Sequence, residues 1–258
     1  MIALLGITTF ATNPDAVVPI ARNQSPVTIN FNNGTENGRA FGIVDMMGTL
    51  LLLALLPSIL VMMTSFTRII IVLSFLRNAL GTQQSPPNQV LIGLALFLTL
   101  FIMKPVLGEV KTTAYDPYKA GEIESSEFFT RALVPMKEFM LRQTQIKDLN
   151  LFLDIGGFEE LPSQSAATLE GLKELSSDIG IEVIVPAFVT SELKRAFTMG
   201  FLLFLPFLVI DMVVSSVLMS MGMVMLPPAM IALPFKLMMF VLIDGWGMMF
   251  GTLAKSFR

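Results

Sequence analysis

Met219-Ser-Met-Gly-Met-Val-Met-Leu-Pro-Pro228 decides how the chain is read. It places four methionines in seven residues, Met219 to Met225, around Gly222. Apolar runs flank it, Ala196 to Val217 before and Ala229 to Phe250 after. Two consecutive prolines cannot continue a helix, and Gly222 loosens the chain just ahead of them. The pattern predicts two apolar helices folded back on each other, with a methionine-rich tip between them. Methionine is unbranched and polarizable and deforms to fit what it touches. A ring of such tips would make a soft, watertight seal; the same side chains would also serve as core packing in an apolar bundle.

Composition supports a membrane protein. Of 258 residues, 53% are hydrophobic and only 14% charged, against about 25% charged in an ordinary soluble domain. Mean hydropathy is +0.71, concentrated in a few long runs. The chain has no cysteine and no histidine. That excludes thiol chemistry and disulfides and removes the commonest zinc, haem and proton-shuttle ligands. Net charge is −3 with no basic run, so nucleic acid is not an expected partner.

Upstream, Ile2 to Ala11 is apolar but too short to span a bilayer. It suits a signal-peptide core or an amphipathic anchor, although the first basic residue is Arg22. Asn13 to Gly38 reads as irregular linker, with Asn33-Gly-Thr35 a sequon or simply a turn. Met46 to Thr67 carries no charge over 22 residues, enough for one membrane-length helix that Pro57 should kink. Arg68 follows, then Ile69 to Leu76 and Arg77. Both arginines suit snorkelling membrane flanks; alternatively, Arg68 is buried in protein and paired. Gly81-Thr-Gln-Gln-Ser-Pro-Pro87 forms the first tip, and Val90 to Met103 returns as a second apolar helix bounded by Lys104-Pro105. Gly81 with Pro86 and Pro87 has the spacing of Gly222 with Pro227 and Pro228. Two hairpins of similar design are expected, one tip polar and one methionine-rich, an internal repetition common in transport proteins.

Residues 108–195 differ in kind. Between Glu109 and Arg195 lie nine Lys or Arg and fifteen Asp or Glu, a net charge of −6. Ser126 to Gln145 has helical spacing, with Phe129, Leu133, Met136 and Met140 on one face. Asp148 to Leu153 is amphipathic, Glu159 to Ile179 polar, Ile181 to Val185 a short β-branched run before Pro186, and Val189 to Phe197 helical. This section is expected to be a small water-facing domain, its acidity arguing against the cytoplasmic side. Beyond it, Asp211 interrupts the third apolar run, and Lys236 and Asp244 the fourth. Such charges are costly in lipid unless paired or hydrated. Asp211 and Lys236 lie 11 and 14 residues from Gly222, comparable heights in a tight hairpin, so an ion pair between them is expected, within or between subunits. Gly247 and Gly251 form a small-xxx-small face.

The expected fold is therefore an all-α membrane-associated protein: two long kinked helical hairpins with an inserted water-facing helical domain. Its parts are 1–40, a signal-like or anchor segment and linker; 41–107, the first hairpin; 108–195, the acidic insert; and 196–258, the second hairpin. No phosphate-binding loop and no metal-site signature are present. Ser191 and Lys194 share a segment but make a weak nucleophile–base pair. No enzyme activity and no cofactor are expected.

Longer stretches carry a resemblance. They are Met62-Met-Thr-Ser-Phe-Thr-Arg-Ile-Ile-Ile-Val72, Leu76-Arg-Asn-Ala-Leu-Gly81, Pro86-Pro-Asn-Gln-Val-Leu91, Phe139-Met-Leu-Arg-Gln143 and Pro186-Ala-Phe-Val-Thr-Ser-Glu-Leu-Lys194. Pro206-Phe-Leu-Val-Ile-Asp211, Pro227-Pro228 and Leu233-Pro-Phe-Lys-Leu237 complete the set. Together they resemble the FliP/SctR family of type III secretion export-gate proteins, over roughly residues 45–258. The phrases look closer to the flagellar than to the injectisome branch.

The resemblance implies a non-enzymatic, pore-forming subunit of the flagellar export gate in the bacterial inner membrane, within the basal body and largely on the periplasmic side. Five copies would assemble with FliQ and FliR, with FlhB and FlhA as further partners, and unfolded flagellar proteins would pass through. It implies inclined helices largely lifted out of the bilayer, with some lipid contact. Met223 and Met225, with Val224 between them, match the family's methionine gasket; Met219 and Met221 lie nearby. The insert would pack neighbouring subunits together. Phe139, Phe152 and Glu192 are the candidates for that contact, two aromatics that can fill a pocket and a charge on a helical segment; both phenylalanines would serve equally as core within the insert. The rival is a secondary transporter or ion-channel subunit, with Asp211, Lys236 and Asp244 as coupling groups. An intramembrane enzyme is the third possibility, set back by the missing catalytic residues.

Overall fold

The computed structural model describes residues 38–82, 85–158, 179–223 and 225–257. The apolar start, the sequon and most of the polar stretch after Glu159 lie outside them. Every regular element among the described residues is helical. The chain divides into two units, Met1–Leu51 and Leu52–Arg258. In the first, the described part is helical from Gly38, with Met46, Met47, Leu50 and Leu51 exposed. The packing that follows is within the second.

Helix α1 (Gly38–Met62) carries Pro57 in its interior. It ends before α2 (Phe66–Leu80), so the apolar character that continues past Arg68 belongs to a new helix. Neither Gly nor Pro marks the break at Met63–Ser65. The Thr64 and Thr67 hydroxyls both donate to the Val61 carbonyl there (3.3 and 3.5 Å), as side chains that compete with the helix ladder do. Arg68, Ile69, Val72, Leu73, Leu76, Ala79 and Leu80 are buried, the i, i+4 stripe of a helix whose face is wholly enclosed.

α2 packs against α3 (Asn88–Val110), α7 (Ile181–Ser220) and α8 (Pro228–Leu242). α3 runs through Lys104-Pro105, continues as a π-helical turn (Lys111–Tyr115) and ends in α4 (Asp116–Ala120). α5 (Ser125–Gln143) and α6 (Ile146–Ile155) both lie on α7. Met140 is fully buried and Leu133 and Met136 half-buried, but Phe129 is exposed: α5 buries chiefly its C-terminal half.

α7 is the frame of the molecule. Forty residues at 1.5 Å each make it about 60 Å long, roughly twice the apolar thickness of a bilayer. It runs unbroken through Pro186 and Pro206 and through residue 195, where the sequence places a domain junction. The β-branched run Ile181 to Val185 is its first turn, held helical because Val183 and Ile184 are buried. Gly200 lets α7 approach α2: a Cβ there would lie 2.6 Å from the Phe75 ring. Past α8 the chain bends by 63° into α9 (Gly245–Lys255), so Ala229 to Phe250 forms two helices rather than one. Asn88–Ala120 and Ile181–Ser220 are each long and apolar enough to cross a membrane, and the bent pair α8–α9 passes the same test together.

Candidate functional site

The methionine turn closes α7 by a defined hydrogen-bond pattern. Gly222 sits in the left-handed region at φ 74°. Its N–H donates to the Met219 carbonyl (3.1 Å), and the Met223 N–H donates to the Leu218 carbonyl (3.0 Å). These are the two bonds of a Schellman cap, which require a residue without steric penalty at positive φ. Pro227 and Pro228 then start α8, where a missing N–H costs nothing. Gly81 ends α2 at the same φ of 74°, and Pro87 caps α3. Pro86 lies in the bend just before it. The two turns thus share a glycine-stop, proline-start construction. Around Gly222 the thioethers point outward: Met219 and Met221 are each 67% exposed, Met223 42% and Met225 96%. Val224 lies outside the described residues.

A first ion pair ties the two turns' helices together. Lys236 on α8 donates from Nζ to Asp211 Oδ2 on α7 (2.6 Å) and to the Ala79 carbonyl near the end of α2 (3.1 Å). It therefore meets both a carboxylate and the negative end of a helix. Lys236 is buried; Asp211 is half-buried, and its Oδ1 has no partner among the described residues. Asp244 does not join this pair. It is exposed at the N-terminus of α9, where the helix dipole favours a carboxylate. Its Oδ2 would lie 2.4 Å from a Cβ at Gly247, so that glycine makes room for a neighbouring carboxylate.

A second, deeper cluster surrounds Arg68, which is wholly inaccessible to solvent. Its Nε donates to Glu192 Oε2 (2.8 Å) and its Nη2 to Glu192 Oε1. Nη2 also donates to Gln143 Oε1 (3.2 Å), and Nη1 to the Ser256 carbonyl and hydroxyl (both 3.0 Å). All five guanidinium N–H groups have an acceptor. The Phe257 ring lies 3.8 Å from the guanidinium carbon, within cation–π range. Gln143 accepts a further bond from Arg195 Nη1 (3.0 Å) and donates to the Phe257 carbonyl (3.1 Å). One side chain from α2 thereby joins α5, α7 and the C-terminus.

A third group fastens α6 to α7. Ser191 Oγ donates to Asp148 Oδ2 (2.7 Å) and accepts from the Gln145 N–H (3.0 Å), while Lys194 pairs with Asp148 Oδ1. Both members of the weak nucleophile–base pair are engaged in this joint. Burial raises the Asp148 pKa, but the hydrogen bonds from Lys194 and Ser191 outweigh it and hold the carboxyl below the usual carboxylate value.

Of the three residues proposed for subunit contact, Glu192 is fully buried on Arg68. Phe139 is nearly so, with ring centroids 6.0 Å from Phe188 and 6.4 Å from Phe257. Phe152, half-buried on the core, is the one with surface left to offer. Gln143, Asp148, Ser256 and Phe257 carry much of the polar network, yet the sequence reading assigns them no role. Gln143 and Ser191 do lie inside two of the motif phrases.

The described residues thus define a helical protein with helices long and apolar enough to cross a membrane, buried charges stitching those helices and an exposed methionine turn. The FliP family model matches residues 49–253. The Flagellar biosynthetic protein FliP of Pectobacterium carotovorum subsp. carotovorum is 54% identical over 205 residues, covering 80% of this chain and 75% of that protein. That of Bacillus subtilis is 48% identical over 229 residues, covering 89% and 98%. That of Caulobacter vibrioides is 47% identical over 243 residues, covering 94% and 86%. The chain belongs to the FliP family.

Proposed function

We propose that this chain is a structural, non-enzymatic subunit of the flagellar type III protein export gate, in the bacterial inner membrane. Relatives named as flagellar biosynthetic proteins support the flagellar rather than the virulence branch. Copies of the chain, five by the family resemblance, surround a conduit together with FliQ and FliR, and FlhB and FlhA approach from the cytoplasm. Unfolded flagellar proteins pass through. Each copy carries two hairpins, turning at residues 81–87 and at residues 222–228, and the acidic section between them, whose last part is the start of α7, faces the periplasm and packs against neighbours, with Phe152 at the contact.

The observation that carries this reading is the methionine turn. Four thioethers are exposed where α7 stops, although free solvent is a poor environment for apolar side chains. Brought together from several copies, they would bury one another and close the conduit, then part around a polypeptide. Met→Ala at both 223 and 225 should make the assembled gate leaky to small solutes while assembly persists. A gate that stays tight removes the seal.

The transporter reading has one supporting observation, the unpartnered Asp211 Oδ1 beside Lys236. It requires that the purified chain alone move a small solute and that Asp211→Asn abolish the flux.

A further inference from the structure

We propose that Arg68, Gln143 and Phe139 form a peptide-binding site whose ligand is the chain's own Ser256-Phe257, and that seating this segment fastens the C-terminal half of α5 to the Arg68 cluster. The two residues follow α9 in a turn, and they are held as a bound peptide is held. Two main-chain carbonyls are engaged. That of Ser256 accepts from Arg68 Nη1 (3.0 Å), and that of Phe257 accepts from Gln143 Nε2 (3.1 Å). The Ser256 hydroxyl accepts from Arg68 Nη1 (3.0 Å) while donating to the Leu253 carbonyl (2.8 Å). The Phe257 ring lies 3.8 Å from the guanidinium carbon and stacks on Phe139, 19° between the ring planes. A few convergent polar groups that fix orientation, beside aromatic area, are the ingredients of a ligand site. The seat is a cleft rather than closed core: a cavity of about 100 Å³ adjoins the Phe257 ring, with Pro105, Pro135 and Phe139 also in its walls.

Receptor and ligand come from distant parts of the chain. The donors stand on α2 and α5, whereas the segment arrives on α9, which packs on α8. Gly245, Met249 and Leu253 are the buried residues of α9, and Phe257 continues that stripe at the same spacing of four. Arg68 precedes Ser256 by 188 residues, and Gln143 precedes Phe257 by 114. Synthesis runs from the N-terminus, so the receptor is made long before its ligand. Until the ligand seats, Arg68 Nη1 and Gln143 Nε2 lack these acceptors and Phe139 lacks one of its two ring partners. Donors left unpaired in a buried site are costly, so α5 completes its packing only when the end of α9 arrives. The segment is thus a latch between the second hairpin and the acidic section, whether or not the chain lines an export conduit.

The test is amide hydrogen exchange on the detergent-solubilised chain. In a chain that stops after Lys255, the amides of residues 136–143 should exchange about tenfold faster or more. Those of α8 and of residues 210–220 should keep their native rates. The tripeptide acetyl-Ser-Phe-Arg, the sequence of residues 256–258, should restore slow exchange when added in excess. Acetyl-Ser-Ala-Arg should not, and the intact chain should not respond to either peptide. Full-length Phe257→Ala should show a smaller loss at the same amides, reversed by acetyl-Ser-Phe-Arg, and it decides the matter if the shortened chain does not fold. Faster exchange spread over α2, α7 and α8 makes the segment ordinary core and overturns the proposal. A loss at α5 that acetyl-Ser-Phe-Arg does not reverse in either variant overturns the binding site.

Discussion

Replacing Arg68 by methionine should be among the most damaging single changes in the chain. The guanidinium is fully enclosed, and all five of its N–H groups are bound. Methionine fills much of the same volume but leaves the Glu192 carboxylate buried without a cation and the Ser256 carbonyl without a donor. Breaking one side of a buried pair costs about 3–5 kcal/mol, against a total stability of roughly 5–15 kcal/mol for a typical protein. Removing both partners avoids the stranded charge. Arg68→Met with Glu192→Met should therefore recover most of the loss, because buried pairs replaced by apolar residues are often near neutral. Lysine at 68 should rescue poorly, since a single ammonium cannot reproduce the bidentate fork or the contact over Phe257. The assay is unfolding of the detergent-solubilised chain, read as a double-mutant cycle. The singles should each fall by about 3–5 kcal/mol and the double by less than either, so the coupling between them should exceed the loss of one single. A double variant as unstable as the sum of the singles would refute the reasoning.

Three further outcomes follow from the geometry. Lys236→Met should cost about 1–2 kcal/mol, less than Arg68→Met because Asp211 keeps access to water, and should loosen α2 from α7 and α8; crosslinking between cysteines placed at residues 79 and 211 checks it. The depressed Asp148 pKa stabilises the fold fully above the ordinary carboxylate value, near 4. That contribution is lost as pH falls through the lower native value, so the gap in unfolding stability between wild type and Asp148→Asn should close in acid and stay constant near neutrality. Gly222→Ala should cost about 1–2 kcal/mol for an L-residue at positive φ, and Gly222→Asn less, read as faster hydrogen exchange at the Met223 amide.

The turns were legible because backbone rules are local: glycine at positive φ and paired prolines mark the same stops in the sequence and in the structure. The break after α1 was not, because threonine hydroxyls rather than Gly or Pro accompany it. The bend before α9 was hidden as well, since it turns on Asp244 at φ 50° and an isolated acid in an apolar run reads first as a buried charge. The length of α7 escaped because Pro186 and a β-branched run imitate a boundary; tertiary burial overrides that propensity. Arg68 was singled out as a charge needing a partner, but Glu192 lies 124 residues away, and nothing local links the two.

The placement of Asp211 says most about what must surround a single copy. From Phe197 to Val217, α7 presents exposed apolar side chains over twenty residues, or about 30 Å, which matches the apolar thickness of a bilayer. Taken alone, that would be a lipid-facing span. Asp211 falls within it, with over a third of its side chain accessible and exposed Met212 and Val213 beside it. A carboxylate at that depth is expensive against lipid even with Lys236 attached, and its second oxygen has no donor within the described chain. Lys236 reaches only the other oxygen, Oδ2, together with the end of α2. The face around Asp211 is therefore better suited to water or to a neighbouring protein than to acyl chains. The same helix ends at the methionine turn, so a neighbour covering Asp211 would also bring a second set of thioethers close to the first.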